Sequence, residues 1–178
     1  MEKFDYETPK ATPEWLTSVL RKNGFLSSGQ VASIEQEKTF QQSIRGSFLS
    51  LKVDYTPDST SNKPEKSPPS KIIIKMINPE QFSWAQKEVD FYRETLGDIS
   101  LQGVMTCYGI EKIPEKKQGY MLLDDLTQTH YQTDWPMPPM QNQFEGAITT
   151  LAQLHAFWLD HPKLEDQNFE IAKEEYYR

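Results

Sequence analysis

The stretch Lys71–Met76, KIIIKM, decides the fold, because a charged side chain interrupts an apolar run. Three consecutive isoleucines, with Met76 and Ile77 further along, predict a strand in the centre of a sheet. Lys75 lies inside this run, and a buried ammonium group is costly unless an anion pairs with it. Lys75 therefore either reaches solvent at the rim of the sheet or has a carboxylate partner and a functional role.

The residues before this strand predict a helix and then strands. Thr12 as a cap, Pro13 in the first turn and Gly24 as a stop bound the helix. Period-two alternation predicts a strand over SFLSLKVDY, and a weaker pattern predicts one over Val31–Gln36. EKTFQQSIRGS between them is predicted to be a polar turn region, and Thr56–Ser70 an exposed, mobile loop.

A second helix is predicted directly after the lysine strand, over NPEQFSWAQKEVDFYRETLG, from Asn78 as cap to Gly97 as stop. Glu88 lies at the border of its apolar face, beside Val89, where it can point toward the sheet. A Lys75–Glu88 pair would satisfy the ammonium group. From spacing alone a solvated rim lysine with a surface glutamate remains the open alternative.

The remaining residues predict two strands and a helix. The strands are VMTCYGI and GYMLLDDL, with EKIPEKKQ as a hairpin-like turn. THYQTDWPMPPMQN is predicted to be an irregular connection before an amphipathic helix, QFEGAITTLAQLHAFWL. The fold class is thus α+β, with a five-stranded antiparallel sheet and one long helix between strands three and four. We expect one domain over residues 1–126 and a second part over residues 127–178.

Composition excludes several classes of function. The 178 residues carry a net charge of −7 without a basic block, which argues against nucleic-acid binding. The single cysteine, Cys107, precludes an internal disulfide and fits a reducing compartment. MEKFDYETPK lacks an apolar signal core, and no apolar run is long enough to span a bilayer. We therefore expect a soluble, cytoplasmic protein without a membrane partner.

Four motifs in order, IIIKM, EVDFYRE, YMLLDDL and LAQLHAFW, resemble those of the kinase-like phosphotransferases, which include the aminoglycoside phosphotransferases and choline kinases. The similarity is greatest to the ecdysteroid-kinase-like, or CHK-kinase-like, branch, and TPEWLTSVLRKNGF resembles its N-terminal helix. The resemblance implies a kinase-like ATP-binding N-terminal lobe, followed by a linker and the first helix of an incomplete helical C-terminal lobe. It also implies MgATP as cofactor and a small-molecule hydroxyl as acceptor.

The resemblance assigns roles to individual residues. Lys75 would contact the α- and β-phosphates of ATP, with Glu88 as its ion-pair partner. The segment LLDDL would be the hinge, where the carbonyl of Asp124 and the N–H of Leu126 would form hydrogen bonds with adenine. The adjacent carboxylates Asp124 and Asp125 are not expected to form an acid–base pair, because neighbouring strand residues point to opposite faces.

The turn QQSIRGSF takes the place of the phosphate-covering loop in this resemblance. Gly46 and the backbone N–H groups near Ser43 and Ser47 would approach the phosphates there. Because the turn has one glycine where protein kinases have several, a plain surface turn remains the alternative.

Two motifs of the family do not occur in this sequence: the His-Gly-Asp catalytic loop and the metal-binding Asp-x-Asp. We therefore expect no catalytic residue and no metal ligand in this chain, and we expect its activity to need the missing C-terminal lobe. The alternative is a non-catalytic nucleotide-sensing or protein-interaction module built from a kinase N-terminal lobe. Under the first interpretation, the apolar face of ITTLAQLHAFW is predicted to be an unfilled interface with the C-terminal lobe, and such a face favours association.

Overall fold

The computed structural model describes residues 11–43, 46–61, 67–77, 87–96, 104–113, 118–129 and 138–162. Two α-helices and five strands are described: α1 (Pro13–Lys22), β1 (Val31–Ser43), β2 (Gly46–Tyr55), β3 (Lys71–Ile77), β4 (Cys107–Ile113), β5 (Gln118–Asp124) and α2 (Gln141–Trp158). Between β3 and β4, residues 87–90 are α-helical and continue into a π-helical turn, Phe91–Thr95. These two parts together are the helical segment 87–95. The sheet, α1 and this segment form one unit, and α2 belongs to another.

The five strands form one antiparallel sheet in the order β1-β2-β3-β5-β4, which confirms the predicted α+β class and the central place of the lysine strand. Strand β3 pairs with β2 on one edge and with β5 on the other. Lys75 is in register with Phe48 of β2 and with Met121 of β5. The backbone position of Lys75 is therefore determined from both sides.

One face of the sheet, the α1 face, carries the larger apolar core. Leu16 and Leu20 of α1 are fully buried in the same cluster as Ile72 and Ile74 of β3. Thr12 caps the helix as predicted, because its Oγ1 accepts the N–H of Trp15 at 3.2 Å. Truncating Leu16 to alanine in such a core costs about 2–5 kcal/mol of folding free energy. Helix α1 is thus an integral layer of the fold.

The opposite face, the Lys75 face, carries a smaller apolar cluster. Ile77 of β3 and Met121 and Leu123 of β5 pack there with Val89 of the helical segment 87–95, which is fully buried. This packing places the helical segment over β3 and β5. The sheet therefore has a helix on each face. The alternation of side chains along β3 determines which of its residues contact each helix.

Several predicted boundaries differ from the structure. Strand β1 continues to Ser43, through most of the region predicted to be a polar turn, because pairing with β2 satisfies its backbone whatever the polarity of its side chains. Positions 44 and 45, between these two strands in the sequence, lie outside the described residues. Strand β4 begins at Cys107 instead of Val104 and extends to Ile113. Because β4 is an edge strand, it tolerates the charged residues Glu111 and Lys112, whose polarity led to the prediction of a turn.

The described beginning of the loop after β2 forms backbone hydrogen bonds with the rest of the fold. The N–H of Ser27 donates to the carbonyl of Thr60 at 2.7 Å, and Ser28 and Thr60 form an isolated bridge. The N–H of Thr56 donates to the carbonyl of Gln30 at 2.9 Å. The described beginning of this loop is therefore attached to the segment between α1 and β1.

The second predicted helix is described only from residue 87 onward, and its predicted cap, Asn78, lies outside the described residues. The described part ends at Leu96, close to the predicted stop at Gly97. Its last turn is π-helical, which the sequence pattern did not predict. A π-helical turn changes which side chains share a face, and such turns are frequent at functional sites.

Candidate functional site

Lys75 and Glu88 form a two-pronged ion pair on the Lys75 face. The Nζ of Lys75 donates to Oε1 of Glu88 at 2.6 Å and to Oε2 at 2.5 Å. The lysine side chain is 14% exposed and the glutamate side chain 36% exposed. The ring of Phe48 lies 5.9 Å from Nζ, which adds a cation–π contact on the side of β2. Lys75 is thus not a solvated rim lysine.

The helical segment holds Glu88 in place through its neighbours. Val89 is fully buried against β3 and β5, and Oδ1 of Asp90 accepts a hydrogen bond from Nζ of Lys112 at 3.0 Å. Lys112 lies on β4, so two strand lysines reach two carboxylates that are two residues apart. These contacts fix the height and rotation of the helix above the sheet, and therefore the reach of Glu88.

Two further ionisable groups surround the carboxylate of Glu88. Burial raises the pKa of Tyr92 to about 12, and the negative charge of Glu88 adds to this shift. Burial also raises the pKa of Cys107 to about 11; a backbone hydrogen bond with Gly109 partly offsets this shift, and the charge of Glu88 reinforces it. The raised pKa values keep both groups neutral at physiological pH, so neither adds a charge beside the Lys75–Glu88 pair.

At the end of β5 the adjacent carboxylates of Asp124 and Asp125 point to opposite faces of the sheet, as predicted. The side chain of Asp124 accepts a hydrogen bond from Tyr108, a buried residue of the α1 face. Asp125 instead bonds to Ser50, which shares the Lys75 face with Phe48 through the alternation of β2. The N–H of Asp124 donates to the carbonyl of Thr106 at 3.0 Å. The two carboxylates therefore cannot act together as an acid–base pair.

Asp125 uses both of its oxygens. Its Oδ2 accepts the hydroxyl of Ser50 at 2.9 Å, and its Oδ1 accepts the N–H of Thr127 at 3.0 Å and the Thr127 hydroxyl at 2.6 Å. Burial acts to raise the pKa of Asp125, but the bonds from Thr127 and Ser50 and the charge of Lys71 outweigh it and hold the pKa below its usual value. Sequence analysis missed this cluster. The sequence contains no signal for it, because the alternation of β2 groups Ser50 with the polar residues Lys52 and Asp54.

The proposed phosphate-covering residues lie at the end of the first hairpin. Ser43 and Gly46 face each other as the last pair of β1 and β2. Ser47 is in register with Met76, so its side chain is on the α1 face, opposite to Lys75, and it is buried. Among the described residues its Oγ has no hydrogen-bond partner. The side chain of Ser47 is thus turned away from Lys75, and this position can offer only its backbone to a ligand on that face.

Helix α2 presents apolar side chains to solvent. Phe144 is 58% exposed, and Ile148 and Leu151 are each 51% exposed. His155, on the same predicted stripe, is also exposed, and α2 contains no buried residue. The predicted exposed apolar face is present.

Neither a comparison with models of protein families nor a search of curated proteins finds a match to this chain. Within the described ranges, no cluster of three or more His, Cys, Asp or Glu side chains is placed to hold a metal ion. None of the described helices has the length and apolar character that crossing a membrane requires.

Proposed function

We propose that this chain is the ATP-binding part of a kinase-like phosphotransferase of the aminoglycoside phosphotransferase and choline kinase type, nearest to the ecdysteroid-kinase-like branch. The observation that carries the proposal is the ion pair between Lys75, on a central strand, and Glu88, on the helical segment that follows it. The strand order β1-β2-β3-β5-β4 with a helix between β3 and β4 supports the same assignment.

The proposed role of Lys75 is to hold the α- and β-phosphates of ATP. An ammonium group has three N–H donors, and Glu88 takes bonds from Nζ at two oxygens while leaving donor capacity on the same nitrogen. The carboxylate holds the Lys75 amine in one orientation, at a position that is 14% exposed. Such a fixed cation stabilises phosphate without rearranging when ATP arrives.

The proposed site for adenine is the segment after β5. The carbonyl of Asp124 and the N–H of Leu126 would read the base, and no protein acceptor among the described residues takes the N–H of Leu126. ATP would enter with Mg²⁺, whose ligands, like the catalytic aspartate, would come from a C-terminal lobe with motifs that this sequence does not contain. The acceptor would be the hydroxyl of a small molecule, and the compartment the cytoplasm.

The test is stabilisation by ATP with Lys75→Met and Lys112→Met as matched variants. Both lysines lie on strands, are 14% and 15% exposed, and pair with a carboxylate of the same helical segment. A ligand that binds only the folded state stabilises it by RT ln(1 + L/Kd), where L is the free ligand concentration, and therefore raises the unfolding temperature. We expect ATP to raise the unfolding temperature of the wild type and of Lys112→Met but not of Lys75→Met. The proposal is wrong if ATP leaves the wild type unchanged or stabilises all three equally.

A second candidate function is a non-catalytic interaction module. The observation that favours it is the exposed apolar row on α2, formed by Phe144, Ile148 and Leu151. In that case binding of a protein partner would be independent of nucleotide. A partner complex that forms identically with and without ATP, in a chain whose unfolding ATP does not affect, would select this function over the first.

A further inference from the structure

The Ser50–Asp125 hydrogen bond crosses the Lys75 face of the sheet. Strand β3 lies between β2 and β5, and neighbouring strands are about 4.8 Å apart, so β2 and β5 are separated by about 10 Å. The short side chains of serine and aspartate cannot bridge that gap between flat strands. The 2.9 Å bond therefore requires the backbone after Asp124 to bend across β3 toward β2.

The donor of this bond, Ser50, is buried, and its acceptor, Asp125, is held by further hydrogen bonds. Ser50 is 1% exposed, so its hydroxyl has no competing water, and a buried hydroxyl without a partner is unfavourable. Asp125 is fixed by the N–H and hydroxyl of Thr127, which form a side-chain-closed turn. The N–H of Thr129 donates to the carbonyl of Leu126 at 3.0 Å, which closes the next turn. The backbone from Asp124 to Leu126 is consequently held by the bond from Ser50 to Asp125 and by the turns that follow Asp125 and Leu126.

We propose that Asp125 and Ser50 are positioning residues that set the backbone of Asp124–Leu126 to receive a purine base, an inference that rests on the proposed nucleotide site. Neither side chain needs to touch the base. Their effect is to order the carbonyl of Asp124 and the N–H of Leu126 before the ligand arrives, so that binding does not have to order them. Phosphate binding depends on Lys75, which has a separate partner in Glu88.

The structure offers a matched control for this bond. Ser33 of β1 donates to Oδ2 of Asp54 on β2 at 3.0 Å, the same pair of residue types at nearly the same distance. That bond is exposed and joins neighbouring strands away from β5. Ser33→Ala and Asp54→Ala therefore remove an exposed serine–aspartate bond of nearly the same length, at a place distant from the segment after β5.

The experiment compares adenosine, which has the base but no phosphate, with inorganic triphosphate, which has phosphates but no base. Affinities of the full chain for each are measured by calorimetric titration for wild type, Ser50→Ala, Asp125→Ala and the two controls. We expect Ser50→Ala and Asp125→Ala to weaken adenosine binding about five- to tenfold while triphosphate binding is unchanged. Both controls should bind both probes as the wild type does.

Three results overturn the inference. Adenosine affinity that is unchanged in Ser50→Ala and Asp125→Ala refutes it and leaves the nucleotide site intact. An equal loss of adenosine and triphosphate assigns the bond a general structural role. A wild type that binds neither probe refutes the proposed function, and the inference with it. Circular dichroism of each variant verifies folding. If Asp125→Ala does not fold, Ser50→Ala alone tests the inference, because Ser50→Ala removes one hydroxyl and keeps the turn between Asp125 and Thr127.

Discussion

The Lys75–Glu88 pair can be tested as an energetic unit by a double-mutant cycle. Lys75→Met removes the ammonium group and keeps most of the apolar stem, and Glu88→Gln removes the negative charge while keeping a similar volume. The double variant removes both. The coupling energy is the difference between the stability loss of the double variant and the sum of the two single losses.

The magnitude follows from the geometry and exposure of the pair. Two unit charges 4 Å apart attract by about 4 kcal/mol at an effective dielectric constant of about 20. Nζ is closer than that to both oxygens, at 2.6 and 2.5 Å, but the glutamate side chain is 36% exposed. Solvent screening, desolvation and side-chain ordering cancel much of the attraction. We therefore expect a favourable coupling energy of about 1–2 kcal/mol.

The assay is urea unfolding followed by circular dichroism, with the Lys52–Glu35 pair as control. The Nζ of Lys52 and Oε2 of Glu35 are 3.5 Å apart, the side chains are 48% and 69% exposed, and exposed pairs of this kind contribute about 0–1 kcal/mol. The reasoning is refuted if the coupling of Lys75 with Glu88 does not exceed that of the control pair. Such a result would mean that solvent separates the two charges.

Three further predictions concern other parts of the chain. Because only the thiolate reacts, Cys107 with its pKa raised to about 11 should react with iodoacetamide at pH 8.5 at least about 20-fold more slowly in the folded protein than in guanidinium chloride, and equal rates would contradict its burial. The lowered pKa of Asp125 means that its stabilisation is present above the unfolded pKa of about 3.9 and is lost as pH falls through the folded pKa. The stability difference between wild type and Asp125→Ala should thus shrink between pH 6 and pH 3 in urea titrations, and a difference that grows would have the wrong sign. Leu151→Glu, at a position 51% exposed on α2, should reduce concentration-dependent association in sedimentation velocity without lowering helix content, and a loss of helix content would show that Leu151 is part of a core.

The features that the sequence predicted well are those carried by strong local periodicity. The isoleucine run fixed the identity and limits of β3, and the position of Glu88 at the border of an apolar helix face pointed to its contact with Lys75. Spacing alone left that contact undecided, because it depends on the packing of Val89 against the sheet, which no local pattern contains.

The features that the sequence did not predict depend on tertiary pairing. The polar half of β1 has no apolar alternation, and its strand conformation comes from the ladder to β2. Ser50 has the polarity of an exposed strand residue, yet it is 1% exposed and bonds to a carboxylate 75 positions later in the chain. Contacts between such distant positions cannot be read from a single sequence unless a motif marks both ends.

The place of β3 in the sheet determines which half of the ion pair can adjust. The Cα of Lys75 cannot shift without breaking hydrogen-bonded ladders to β2 and β5 together, so the ammonium group has a fixed origin. Glu88 is attached to the sheet through side chains, with Val89 among apolar groups and Asp90 on Lys112. A change in the Lys75–Glu88 distance therefore reports displacement of the helical segment 87–95 relative to the sheet.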